Sequence, residues 1–314
     1  MSGQVISTLA SLARPNVKSG PVDLLFRKTD LFNLLRLTGR VQDGQGPSPF
    51  KWNVVYSGAT AETFVEGQAL PAATKQSYAQ ASLDAFYARG RFSVTGHVKD
   101  NMAKAGFYDD PQNIEEMLMK SDVLKKVEDS LVGSTQDIGI AAIIDATGTY
   151  AGLSQSTYSA WASEENGSIS TLDVADMEDL YEELVSASGG SSVPRGATPT
   201  HVLAPPNQIT NYIRTVGSSA TTPLVRLAPG GAFDAGFDRA RATFQGLPVV
   251  QVSGITNTEM YMVDINDMTL LVHRDLRIDE VVGNPEESSF IVSTAVCLKV
   301  EHRNWHGKLT GITA

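Results

Sequence analysis

Two histidines stand four residues apart in His302-Arg303-Asn304-Trp305-His306. On a helix that spacing would put both imidazoles on one face, where zinc could take them together with a carboxylate. The segment follows a strand, however, and four residues of extended chain span roughly 13 Å, too far for one ion. His97, His201 and His273 are isolated, so no metal ligand set is expected. Ser48-Pro49-Phe50-Lys51 has the letters of a serine–lysine nucleophile, but it lies between prolines at the start of a strand rather than on an activating helix turn. Gly307-Lys308-Leu309 lacks the hydroxyl residue of a phosphate-binding loop, and neither a Gly-x-Gly-x-x-Gly nor a Gly-x-Ser-x-Gly occurs. The neighbouring acids Asp109-Asp110, Glu115-Glu116 and Glu182-Glu183 diverge on a helix and build no two-carboxylate site. These residues predict no catalytic centre, no cofactor and no metal.

The charge distribution points elsewhere. The chain has 314 residues with 25 basic and 35 acidic side chains, a net charge of −10. That balance argues against a dedicated nucleic-acid binder. Residues 1–40 nevertheless carry six bases against two acids, and residues 151–194 carry eight acids and no base. The single cysteine, Cys297, excludes an intrachain disulfide, a four-cysteine zinc site and an iron–sulfur cluster, and fits a reducing compartment. Met1–Ala13 has no basic residue ahead of its apolar stretch, so no secretory signal is expected. The longest strongly apolar run, Ile138–Ile144, is far short of the ~20 residues that span a bilayer.

The elements that must carry this chemistry read as an α+β chain. Prolines 15, 21, 47 and 49 make residues 1–49 an extended arm with one helical piece, Leu24–Leu37. Such an arm is expected to bury little against its own chain. Phe50, Trp52, Val54 and Tyr56 alternate with Lys51, Asn53 and Val55 as in a half-buried strand, and a second extended stretch runs over about Tyr78–Val98. Between them lies a polar tract interrupted by Phe64-Val65 and Leu70-Pro71, a loop long enough to suggest a function. Asp110-Pro111 starts a helix through Leu131, whose pattern resumes over Ile138–Ile144 and suggests one long helix bent near Gly133. Ser170 and Asp173 have the form of a capping box for a helix that ends before Gly189-Gly190. A strand at His201–Ala204 and a helix at Gln208–Val216, closed by Gly217, come next. Strands at Leu247–Val252, Met260–Ile265 and Thr269–His273 complete an α/β region. The last strand alternates Phe290, Val292, Thr294, Val296, Leu298 and Val300 against Ser293, Cys297, Lys299 and Glu301.

This order of elements resembles the major capsid proteins of tailed bacteriophages, the Hong Kong 97-like shell fold. Phe64-Val65-Glu66-Gly67-Gln68-Ala69-Leu70-Pro71 resembles that family's extended-loop tip, and Arg91–Thr95 the strand leading from it. Asp110–Leu131 is similar to its spine helix, Leu172–Gly190 with His201–Gln208 to the start of its axial domain, and Val300–Ile312 to the last strands of its peripheral domain. The resemblance implies an N-terminal arm over 1–49, an extended-loop hairpin over 50–98, spine helix and peripheral domain over 99–145, axial domain over 146–283, and strands 284–314 returning to the peripheral domain.

The function so implied is a non-enzymatic shell subunit forming hexamers and pentamers of an icosahedral phage head around double-stranded DNA, located in the virion and assembled in the host cytoplasm. Its partners would be many copies of itself, a separate scaffolding protein, a portal and a decoration protein, with non-specific DNA contact and no membrane. Phe64, Val65, Glu66, Leu70 and Lys75 would contact neighbouring subunits, and Arg14, Lys18, Arg27 and Lys28 would face the genome. An encapsulin-like compartment shell, and a soluble α/β enzyme with the hairpin as a lid, are the alternatives.

Overall fold

In a computed structural model of the chain, the described residues are 29–44, 48–58, 63, 65–66, 72, 74–95, 111–135, 138–167, 169–186, 196–219, 242–284 and 287–313. In chain order the elements are α1 (Asp30–Leu37), β1 (Val41–Asp43), β2 (Phe50–Ser57), β3 (Ser77–Leu83), β4 (Phe86–Thr95), α2 (Pro111–Val132), α3 (Ile140–Ile143), β5 (Thr149–Tyr150) and β6 (Leu153–Ser154). There follow β7 (Glu164–Asn166), α4 (Val174–Val185), β8 (His201–Ala204), α5 (Pro206–Ser219), β9 (Thr243–Phe244), β10 (Leu247–Gln251), β11 (Met260–Val263), β12 (Met268–Asn284), β13 (Glu287–Val300) and β14 (Gly307–Leu309). The strands form a four-stranded sheet of order β1-β12-β13-β4, a six-stranded sheet of order β7-β14-β11-β8-β10-β9, and two ribbons, β2-β3 and β5-β6. None of the described helices is long and apolar enough to cross a membrane.

The chain divides into two compact units. The smaller draws its described residues from Arg89–Val123 and Leu276–Ser293. There Phe92 stacks on Phe290 with ring centroids 5.2 Å apart, and Arg91 donates to the Ser289 hydroxyl at 3.1 Å. Gly90 is glycine for a packing reason: a Cβ there would strike the Met119 sulfur, so α2 sits directly on the strand backbone.

The larger unit contains Lys28–Ala88, Leu124–Asp275 and Thr294–Ala314. Its six-stranded sheet is mixed, with β8 parallel to β10 and antiparallel to β11, and β14 antiparallel to β11 and parallel to β7. Met177, Leu180 and Leu184 from α4 and Ile209 and Tyr212 from α5 share one core with Val202, Ala204, Val249, Met260, Met262 and Leu309 from the strands. The i, i+3, i+7 spacing of the α4 residues is the amphipathic pattern that directs such burial.

Several expectations change in this unit. The arm does bury surface on its own chain from Asp30 onward: Leu31 and Leu35 are fully buried, and β1 pairs in parallel with β12. Thr29 supplies no side-chain cap to α1. Instead Glu128 of α2 accepts the Leu31 and Phe32 amides at 2.8 and 2.9 Å, and Asp30 accepts the Ser253 amide at 3.0 Å and its hydroxyl at 2.8 Å. Burial pushes the Glu128 carboxyl above its ordinary range, and the two amides at the positive end of the helix counter that cost. Residues 24–28 of the expected helical piece lie outside the described residues.

The second extended stretch is two strands. β3 pairs with β2 in the register Phe50–Leu83, Trp52–Ala81 and Val54–Ala79, and the chain then breaks at Asp84-Ala85 before β4 joins a different sheet. The long helix ends at Val132 rather than bending, and α3 is a separate turn. Gly139 lies against the Gly133 carbonyl, with no room for a Cβ, and this crossing stops the helical path. The capping box belongs to Asp173 and Asp176, not Ser170: the Asp173 carboxylate accepts the Val174 amide at 2.6 Å while Asp176 accepts the Asp173 amide at 2.9 Å. α5 runs through Gly217 to Ser219. Thr269–His273 is the start of a 17-residue strand. β13 is buried on both faces from Thr294 to Leu298, which breaks the expected alternation and encloses Cys297.

Candidate functional site

Among the described residues, Val55, Tyr56, Val65 and Tyr78 put four exposed apolar side chains on the hairpin and its loop, and Leu37, Tyr87, Met117 and Val185 are exposed elsewhere. Val55 and Tyr78 are cross-strand partners on β2 and β3, and both are more than half exposed. Val65, in the connecting loop, is 75% exposed, and Glu66 and Lys75 are exposed beside it in sequence. Directly opposed residues on a ribbon normally shield one another; this apolar pair is open to water. Of the residues expected at subunit contacts, Val65, Glu66 and Lys75 therefore stand in solvent. Phe64, Leu70, Arg14, Lys18, Arg27 and Lys28 lie outside the described residues. Alternation in the sequence put Val55 on the outward face, but nothing local gave its partner.

Along β2 an open groove of about 430 Å³ is lined by Trp52, Val55, Tyr56, Trp161, His302 and Trp305, among others. Trp52 receives Lys299 at 5.5 Å from its ring, and Tyr56 meets Tyr158 edge-on at 4.9 Å.

The histidine pair at one end of this groove is closer than strand geometry allows. β13 ends at Val300, and a 3-10 turn over Arg303–Trp305 swings both imidazoles onto one carboxylate. His302 Nδ1 lies 2.7 Å from Asp267 Oδ1, and His306 Nε2 lies 3.3 Å from Asp267 Oδ2. The Asp264 amide donates to His306 Nδ1 at 3.3 Å, which leaves the His306 proton on Nε2, facing Asp267. The His302 amide donates to Asp267 at 2.8 Å. Burial opposes a charge on Asp267, but these donors outweigh it and hold the carboxyl below the ordinary range. The hydrogen bond to Asp267 raises His302 against its partial burial.

The residue between the histidines, Arg303, is fully buried. Its guanidinium donates to the carbonyls of Ile143, Ala142 and Asp145 at the end of α3 and lies 5.7 Å from the centre of the Tyr150 ring. Burial lowers its pKa to about 10, against the field of Asp145. Lys308, which a phosphate loop would have presented to solvent, is buried in β14 with Nζ 3.4 Å from Glu165 and 3.9 Å from Asp145. Ser48 is also engaged, its hydroxyl accepting the Ala85 amide at 3.3 Å. All three residues have structural partners.

Cys297 is enclosed, and burial pushes its thiol up to about 12, with Lys299 acting weakly in the other direction. The thiolate is the reactive form. The native protein is therefore expected to resist maleimide labelling at about pH 8 and to take one label once unfolded in urea. Stoichiometric labelling of the native chain, read by mass spectrometry, would contradict the burial.

A hairpin with an exposed loop, a long helix, and an α/β sheet that receives the C-terminal strand together define the Hong Kong 97-like fold of tailed-phage capsid proteins. The solved structures bear this out along the whole chain. A cyanophage A-1(L) capsid chain is 17% identical with a TM-score of 0.76, covering 98% of this chain and 99% of that one. The capsid of a native GTA particle is 15% identical with a TM-score of 0.66, covering all of both chains. The holo-SrpI encapsulin complex of Synechococcus elongatus PCC 7942 is 12% identical with a TM-score of 0.64, covering 98% of this chain and 95% of that one. No protein-family model matches the sequence, and no curated protein matches it significantly.

Proposed function

We propose that the chain is the major capsid protein of a tailed phage, self-assembling into hexamers and pentamers of an icosahedral head that encloses double-stranded DNA. The observation that supports this reading is the end-to-end likeness to the cyanophage capsid chain, which spans 98% of this chain and 99% of that one. In this reading α2 is the spine helix, the six-stranded unit with α4 and α5 is the axial domain, and the β2–β3 hairpin with its loop reaches a neighbouring subunit. Phe64, Val65, Glu66, Leu70 and Lys75 are the proposed contacts there. Arg14, Lys18, Arg27 and Lys28 on the +4 arm are proposed to face the genome, whose phosphates attract such charge without reading sequence. A scaffolding protein, a portal and a decoration protein are the further partners proposed, with assembly in the host cytoplasm and no catalytic role for the chain.

A second reading, a compartment shell enclosing protein, is favoured by the likeness to the encapsulin complex. Electron microscopy of the purified chain tests both: closed icosahedral particles are expected. Nuclease-protected double-stranded DNA in particles from native lysate supports the phage head, and protein cargo without nucleic acid supports the compartment. A monodisperse monomer or dimer under every assembly condition would overturn both.

A further inference from the structure

We infer that Asp267, Glu301 and His302 form a binding site for a divalent transition-metal ion at the end of the aromatic groove, with zinc as the best-fitting ion. One ligand atom from each of the three residues lies within 4.8 Å of the other two. Zinc takes nitrogen at about 2.0–2.1 Å and carboxylate oxygen at about 2.0–2.2 Å. Tetrahedral ligation at those lengths puts ligand atoms about 3.4 Å apart, so the exposed Glu301 side chain moves inward and the 2.7 Å contact of Asp267 with His302 opens slightly to close the set around one ion. Two carboxylates and a neutral imidazole carry −2, which balances the ion, and three protein ligands with two of them exposed leave a position for water or a further ligand.

The surroundings are those of a prepared site. Asp267 has only 5% of its side chain exposed and is held by two donors that do not themselves ligate, the His302 amide and His306 Nε2–H. His306 is fully buried and its tautomer is fixed by the Asp264 amide, so it orients the carboxylate as outer-shell donors do in metal sites. The His302 ring stacks on Trp305 with centroids 4.0 Å apart and planes 10° from parallel, which sets its rotamer. To bind the ion His302 moves its proton from Nδ1 to Nε2, and Nδ1 offers its lone pair in place of the hydrogen bond to Asp267. Lys299 pairs with Glu301 and competes with the ion for that carboxylate. The ligand chemistry, one imidazole with two carboxylates, selects zinc, manganese or cobalt over the all-oxygen sites that calcium and magnesium prefer.

The test is isothermal titration of the full-length chain, unassembled and as particles, with zinc chloride, and cobalt chloride as a spectroscopic probe. One zinc per chain is expected, with cobalt giving visible d–d absorption. His302→Ala and Glu301→Gln, both at exposed positions away from the core, are each expected to weaken zinc at least tenfold and to abolish the cobalt bands. Absence of saturable zinc binding by the wild-type chain, or binding that both variants leave unchanged, would overturn the assignment. Because the unassembled chain is titrated too, the result is independent of whether shells form.

Discussion

Arg303→Ala is expected to destabilise the larger unit by about 3–5 kcal/mol. Two effects oppose one another. Burying a guanidinium is costly, as its lowered pKa of about 10 records, so removing it relieves that cost. Against this, alanine takes the guanidinium donor from the carbonyls of Ala142 and Ile143, while the Asp145 carbonyl keeps the Ser163 hydroxyl at 2.9 Å, and it opens a cavity beside Tyr150. Each buried acceptor left unpaired costs about 1–3 kcal/mol, and two of them together with the cavity outweigh the relief. Arg303→Met, which fills the space without donating, is expected to recover the cavity component only. Arg303→Lys retains a charge but not the planar fork, and should fall between. Urea unfolding of the unassembled chain measures all three; a loss below about 1 kcal/mol for the alanine variant would show that solvent reaches these carbonyls.

The same residue shows where sequence reasoning stops. α2 was legible because Ile114, Met117, Leu118, Leu124, Val127 and Leu131 keep helical spacing, and its start at Pro111 agrees with the structure. The β2 strand and the helices and strands of the six-stranded unit were legible for the same kind of reason: periodicity is local. Arg303 gives no local sign of burial, since an arginine between two histidines near the C-terminus reads as surface. Its partners lie 158–161 residues away. The cap on α1 is equally remote, with Glu128 97 residues from Leu31. That distance is why residues 30–44 read as a free arm. The histidine pair was misplaced because strand geometry was carried past Val300, where a three-residue turn shortens the path. Of the proposed assembly surface, the apolar Val65 in a polar loop was visible; the Val55–Tyr78 pair needed the register of the ribbon.

Val65→Asp is expected to leave the subunit folded and to stop shell formation. Val65 is 75% exposed, so a carboxylate there remains hydrated in the free chain, and the unfolding free energy should change by no more than about 0.5 kcal/mol. In the proposed shell the loop lies on a neighbouring subunit, and the same carboxylate must lose its water without a partner. An unpaired buried polar group costs about 1–3 kcal/mol and a charge more, while every 1.4 kcal/mol is tenfold in an association constant. A penalty of at least 3 kcal/mol at each loop contact therefore weakens each contact by more than roughly a hundredfold. The penalty recurs at every subunit, so closed particles should vanish at concentrations where the wild type assembles fully. Val65→Ala, which shortens the side chain without adding charge, should assemble with only a modest rise in threshold concentration. Val55→Asp tests the adjoining ribbon: if the hairpin and loop dock as one surface, it blocks assembly as Val65→Asp does. Sedimentation velocity and negative-stain microscopy give the readout, with circular dichroism as the check on folding. Normal particles from Val65→Asp would remove the loop from the subunit contact, and unfolding of the free chain would place Val65 in its own core instead.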